Sequence, residues 1–167
     1  MMLIEAIRLL LFPAMMAFAA STDLFTMTIS NRVSIVLVVG FFGLALLDGM
    51  AVAEIGNHVA AGAVVLAVSF GFFARGWIGG GDAKLAAATS LWFGWSHLGD
   101  YLLCASLLGG VLTFALIEFR RRTLPPALAG QVWLARLHEP NGGVPYGIAL
   151  AAAALIVYPS TVWITGS

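Results

Sequence analysis

Charge is scarce in this chain. Of 167 residues, 10% are Asp, Glu, Lys or Arg and 61% are hydrophobic, and the mean hydropathy is +1.00. Soluble domains carry about 25% charged residues. A chain so poor in them cannot cover a sphere in water, which excludes a water-soluble enzyme. Cysteine is almost absent too. Cys104 alone allows neither an internal disulfide nor a multi-cysteine zinc site, and within its apolar run it reads as a small buried hydrophobe. Strict alternation of apolar and polar residues, the mark of a membrane β-barrel, is missing from runs such as Ala60–Ala67 and Ala149–Ile156. No repeat, low-complexity tract or composition shift divides the sequence, so residues 1–167 are expected to form a single transmembrane domain.

Long apolar runs are what the chain has in plenty. A spanning helix needs about 20 apolar residues, and six runs approach that length: Leu3–Ala20, Val33–Met50, His58–Ala74, Ala83–Trp95, Tyr101–Phe119 and Val144–Trp163. They predict an all-α fold, a polytopic membrane protein built as a bundle of about six transmembrane helices. The Gly and Ala within them let helix backbones approach closely in lipid. The fourth run is short, and Trp92 and Trp95 predict that it ends at a membrane interface. A bend is expected at Pro13 in the first. Ala17-Phe18-Ala19 imitates a signal-peptide cleavage site, but Glu5 offsets Arg8, and cleavage there would invert the distribution of basic residues, so the run is kept as a helix.

The bases are distributed unevenly. Arg32, Arg75, Lys84, Arg120, Arg121, Arg122 and Arg136 fall on one face of a six-span arrangement, with only Arg8 elsewhere. The connections near Asp48–Asn57 and Ser96–Asp100 and the C-terminal tail contain no Lys or Arg. The positive-inside rule makes the basic face cytoplasmic and puts both termini outside.

Two acids sit where the chain crosses from an apolar run to that basic face. Asp23 ends the first span in Ser21-Thr22-Asp23, and Asp82 lies in Gly79-Gly80-Gly81-Asp82-Ala83-Lys84. A solvated helix cap is the bland explanation of either acid. The glycines favour a functional role for Asp82, because three in a row permit backbone conformations closed to other residues and close approach of another chain. Two carboxyls within a few ångströms hold one proton between them and titrate as a unit. The ionised member can take a proton from an attacking water, and the protonated member can donate to a peptide carbonyl. Lys84, two residues from Asp82, points elsewhere on a helix and reads as a snorkelling anchor. Asn31 is expected to cap the second helix. The alternation in Phe25–Ser30 fits an edge able to bind a peptide by strand addition, although an interfacial loop is the preferred expectation.

With Asp23-x7-Asn31 and Gly79-x-Gly81-Asp82-x-Lys84 in this order, the chain resembles the type IV prepilin peptidase family, intramembrane aspartic peptidases of the GxGD type. Val144-Pro145-Tyr146-Gly147-Ile148-Ala149 also resembles a family segment, and the resemblance covers nearly the whole chain. It implies that Asp23 and Asp82 are a catalytic dyad in a site shaped by Gly79, Gly80, Gly81, Asn31 and Lys84. It also implies a bacterial inner-membrane protein of type IV pilus biogenesis that uses no metal or organic cofactor. The substrate would be a prepilin with a short basic leader before a hydrophobic helix, cut on the cytoplasmic side after a glycine. Many members have Ile-Pro-Asn where this chain has Ile29-Ser30-Asn31, so its first loop is expected to be less rigid. Larger bifunctional members carry a domain with paired cysteines and methylate the new N-terminus. This chain resembles the compact type that processes Flp or tight-adherence pilins, and no methyltransferase activity is expected of it.

Other residues carry less. His58 and His97 belong to connections on the outer face and His138 to the basic loop, and no His-Glu-x-x-His occurs, which disfavours a metalloprotease. Glu118 and Glu139 have the charge to attract a basic leader, but balancing nearby arginines is the preferred expectation. Arg120–Arg122 reads as a topology determinant that can touch anionic headgroups; three adjacent arginines make no extended surface for nucleic acid. The segment Arg120–Gly143, with Pro125-Pro126 and Asn141-Gly142-Gly143, fits either a flap or a packed cover. The alternative from another class is a non-enzymatic membrane protein, a transporter or assembly subunit using intramembrane acids as a proton relay.

Overall fold

A computed structural model describes residues 2–125, 130–140 and 142–165, and among these there are helices and no strand. Apolar backbone in lipid must satisfy its own hydrogen bonds, and a helix does so within one segment. Helix α1 covers Met2–Thr26, α2 Asn31–Leu47, α3 Val52–Ala74, α4 Gly80–Arg121, α5 Val132–His138 and α6 Tyr146–Val157. A 3-10 turn, Tyr158–Ser160, leads into the short α7, Val162–Thr165. Helices α1, α3 and α4 are long and apolar enough to cross a membrane, and α2 and the stretch Tyr146–Ser160 are shorter apolar helices. The molecule is a membrane helical bundle, as the apolar runs predict. Pro13 lies inside α1 without interrupting it.

The largest departure from the predicted spans is α4. The sequence suggests a connection at Ser96–Asp100, but the chain stays helical there and breaks at Gly94, with φ 57° and ψ −169°. A straight helix of 42 residues would hold its ends about 63 Å apart at ~1.5 Å per residue. The ends instead reach the same segment, 142–144. Asp82 borders the same cavity as Gly143, whose carbonyl accepts from Arg120 at the far end of the helix. The chain therefore reverses at Gly94, giving a first arm, 80–93, and a second, 95–121. The left-handed φ suits glycine, and a Cβ at this position would lie 3.0 Å from the His58 imidazole.

Breaking a helix orphans the carbonyls of its last turn. Here side chains take two of them: His58 Nδ1 donates to the Leu91 carbonyl and Trp163 Nε1 to the Trp92 carbonyl, both at 2.8 Å. The Trp92 indole in turn donates to Leu37 of α2 at 2.9 Å. Trp92 is fully buried among Phe12, Phe41 and Trp163. It is a core residue and not the interface anchor expected of it, whereas Trp95 is exposed. Arg8, the isolated base, pairs with Asp48 at this aromatic end, and Tyr158 donates to its carbonyl at 2.6 Å.

The opposite end holds the remaining bases and both candidate acids. Ser30, not Asn31, caps α2, its hydroxyl accepting from the Arg32 amide. Asn31 is the first helical residue, which frees its side chain to accept from Lys84 Nζ at 2.9 Å. No strand forms over Phe25–Ser30: α1 runs through Thr26 and ends at Met27, whose φ of 54° turns the chain while its amide donates to the Asp23 carbonyl. Helix α5 packs over this end, with Arg136 donating to the Phe25 carbonyl at 2.9 Å, Arg120 to the Leu137 carbonyl at 2.8 Å, and Trp133 edge-on to Phe25. The described part of the loop is thus a packed cover; Pro126 and Asn141 lie outside the described residues. Glu118 pairs with Arg121 and Arg122, and Cys104 is a free, partly buried thiol beside the core.

Candidate active site

Three helix ends build the site. Asp23 lies in the last two turns of α1 and is 4% exposed. It faces the start of α6, whose N-cap position is Pro145 and has no side-chain cap. The first amides of a helix need acceptors from elsewhere, and Asp23 provides one: Gly147 N–H donates to Asp23 Oδ2 at 2.7 Å, with the Ile148 amide facing the same carboxyl. Positive helix N-termini favour such an anion.

Asp82 is the third residue of α4. Its side chain turns back on the N-cap Gly79, the geometry by which a side chain at this position meets the N-cap amide, and the Gly79 and Gly147 amides both face its carboxyl. Oδ1 of Asp82 is buried without a hydrogen-bond partner among the described residues. A buried unpaired carboxyl oxygen is costly and invites a donor. The two carboxyls are close enough to interact electrostatically. Together they line two adjoining cavities. One, of about 250 Å³, is walled by Met27–Ile29 and the three glycines. The other, of about 470 Å³, is walled by 76–79, 142–144 and Tyr146.

The glycine run works by closeness and not by unusual backbone. None of Gly79, Gly80 and Gly81 has a positive φ; upstream, Gly76 does, at 72°. A Cβ on Gly79 would stand 2.8 Å from Asp82 Oδ2, one on Gly80 3.2 Å from the Phe73 ring, and one on Gly81 3.1 Å from Ile29. Asn31 and Lys84 bond to each other and line neither carboxyl cavity; Lys84 borders a separate apolar groove. His58 and His97 line a cavity at the aromatic end, and His138 meets the Arg122 carbonyl at 2.6 Å.

Glycine 147 is the site residue that sequence reasoning left without a role. A Cβ on it would lie 2.7 Å from Asp23 Oδ2 and 2.6 Å from Ile29 Cδ1, so only glycine lets its amide reach the carboxyl. Its signal in the sequence is the segment Val144–Ala149. Gly142 and Gly143 likewise wall the larger cavity.

The sequence profile of the type IV leader peptidase family matches residues 10–114. The chain belongs to that family. The matched span contains both acids, the glycine run, Asn31 and Lys84, and ends before Gly147. No curated protein and no solved structure matches the chain. Membership makes the protein a membrane peptidase with prepilins as its substrate class and weighs against the transporter alternative.

Proposed function

We propose that the protein is an aspartic leader peptidase whose dyad is Asp23 and Asp82. One observation carries this: two carboxyls from separate helices border the same cavities, one held by helix amides and the other with a buried oxygen free to meet a substrate. The pair holds a single proton. The ionised carboxylate takes a proton from water as the water oxygen bonds to the scissile carbonyl carbon, while the protonated carboxyl donates to the carbonyl oxygen. As the tetrahedral intermediate collapses the C–N bond breaks, the nitrogen takes a proton from the dyad, and a hydroxyl of the intermediate returns its proton to the other carboxylate, so the pair is left with one proton as before. Gly79, Gly80 and Gly81 keep the approach to Asp82 open, and the Asn31–Lys84 bond fixes the start of α2 against α4.

The substrate we propose is a Flp-like prepilin with a basic leader before a hydrophobic helix. The bases gather at the end that holds Asp23 and Asp82, so the positive-inside rule supports cleavage at the cytoplasmic face of a bacterial inner membrane with both termini outside. Residues 1–167 would act as one domain. Co-expression with a Flp-type prepilin should give a faster-migrating product on a gel, and Asp23→Asn or Asp82→Asn should abolish it with the protein still in the membrane. Processing that survives either change refutes the dyad. Fusions of a reporter after Met50 and after Arg122 test the orientation: the second must be cytoplasmic.

A further inference from the structure

The larger carboxyl cavity does not stop at the carboxyls. Ile78 and Tyr146, which wall it, also wall a cleft of about 430 Å³ between α3, the second arm of α4 and α6. Polarity changes at that neck. On one side lie two acids and glycine backbone; on the other lie Val64, Val68, Phe72, Leu98 and Leu102. The hydroxyls of the cleft are already engaged: Ser69 donates to the Val65 carbonyl, Ser106 to the Leu102 carbonyl, and Tyr146 pairs with Thr113. An extended peptide would find no side-chain partners there, whereas a helix satisfies its own backbone. From Val64 to Phe72 the wall is about 12 Å long at ~1.5 Å per residue, roughly two helical turns. Val64, Val68, Phe72 and Leu102 are 40–53% exposed, so the cleft opens sideways toward lipid. A second apolar groove, between α2, α3 and the first arm of α4, shares no lining residue with either carboxyl cavity.

We propose that this cleft is the docking site for the hydrophobic helix of the substrate. The first two turns of that helix lie along α3 and the second arm of α4, and the chain before them passes Ile78 and Tyr146 to bring the scissile bond to Asp23 and Asp82. The proposal rests on the peptidase function above. Its test compares a helix-bearing prepilin with a short peptide that spans the scissile bond and lacks the helix. Ser106→Trp and Val64→Trp fill the cleft, and each should lower the ratio of kcat/KM for the prepilin to kcat/KM for the peptide at least tenfold, through KM. Val38→Trp, in the unconnected groove, should leave the ratio as it was. Docking is also read without cleavage, in an Asp82→Asn, Cys104→Ala background. There Leu102→Cys should form a disulfide with a cysteine in the first turns of the substrate helix, and Val38→Cys should not. A ratio within twofold of the unsubstituted protein in both cleft variants, or cross-linking through Val38→Cys alone, overturns the proposal and leaves the cleft to lipid chains. Peptide cleavage by the unsubstituted protein tests the peptidase function separately.

Discussion

The two ends of the bundle are built to opposite rules. At the aromatic end, every carbonyl named at the Gly94 reversal has a side-chain donor, and Phe12, Phe41, Trp92, Tyr158 and Trp163 close around one another. At the carboxyl end, glycines stand where larger residues would fill the space, cavities border two acids, and Asp82 Oδ1 has no partner among the described residues. Aromatic pairs contribute about 0.5–1.5 kcal/mol each beyond burial, whereas an unpaired buried oxygen costs about 1–3 kcal/mol. Aromatic packing is thus gathered at one end, and the other keeps glycines and cavities beside its two acids. This division of labour is what substitutions can break.

The largest effect is expected at the acids. Asp82→Asn or Asp23→Asn should lower prepilin cleavage by about 1,000-fold or more and leave thermal unfolding, followed by tryptophan fluorescence in detergent, nearly unchanged. In the unsubstituted protein, cleavage plotted against pH should be bell-shaped, because both the empty and the doubly protonated dyad lack one of the two required partners. Next comes Gly147→Ala. Its methyl group pushes on Asp23 and Ile29, and displacing a reacting group by about 1 Å costs roughly 100-fold in rate; the unfolding midpoint should move little.

At the aromatic end the signs reverse. Gly94→Ala forces a left-handed φ on alanine against the His58 ring, and should cost about 1–3 kcal/mol of stability, seen as a lower unfolding midpoint with activity per folded molecule preserved. Trp163→Phe removes the donor to the Trp92 carbonyl and part of a buried ring and should cost at least about 1 kcal/mol by the same measurement. Equal losses of activity and stability from substitutions at both ends would end the comparison.

Much of the bundle is legible in the apolar runs because the requirement behind them is local: each segment in lipid closes its own hydrogen bonds. The Gly94 reversal is not legible in the same way. Polar Ser96 and Asp100 look like the connection, yet helical backbone tolerates them, and what breaks the helix is a glycine whose loose carbonyls are met by His58 and Trp163 from distant segments. The cap of α2, expected at Asn31, falls on Ser30 for a related reason: the two adjacent polar residues have similar capping ability, and the distant Lys84 engages Asn31. At the site, Asp23 and Asp82 stand out because acids at the edge of apolar runs are rare. Gly147 did not, because a backbone amide leaves no chemical mark in a sequence.

From the amino acids alone come the solvent, the helical class, the sidedness of the bases and the pair of acids in the pattern of the family. These depend on composition and on contacts within a few residues. The tertiary structure decided where α4 turns back, that Trp92 belongs to the core, that the glycine run serves close approach, and that the start of α6 supplies the amide to Asp23. Each of those depends on which distant groups complete a hydrogen bond or occupy a volume, and only the packed chain brings them together.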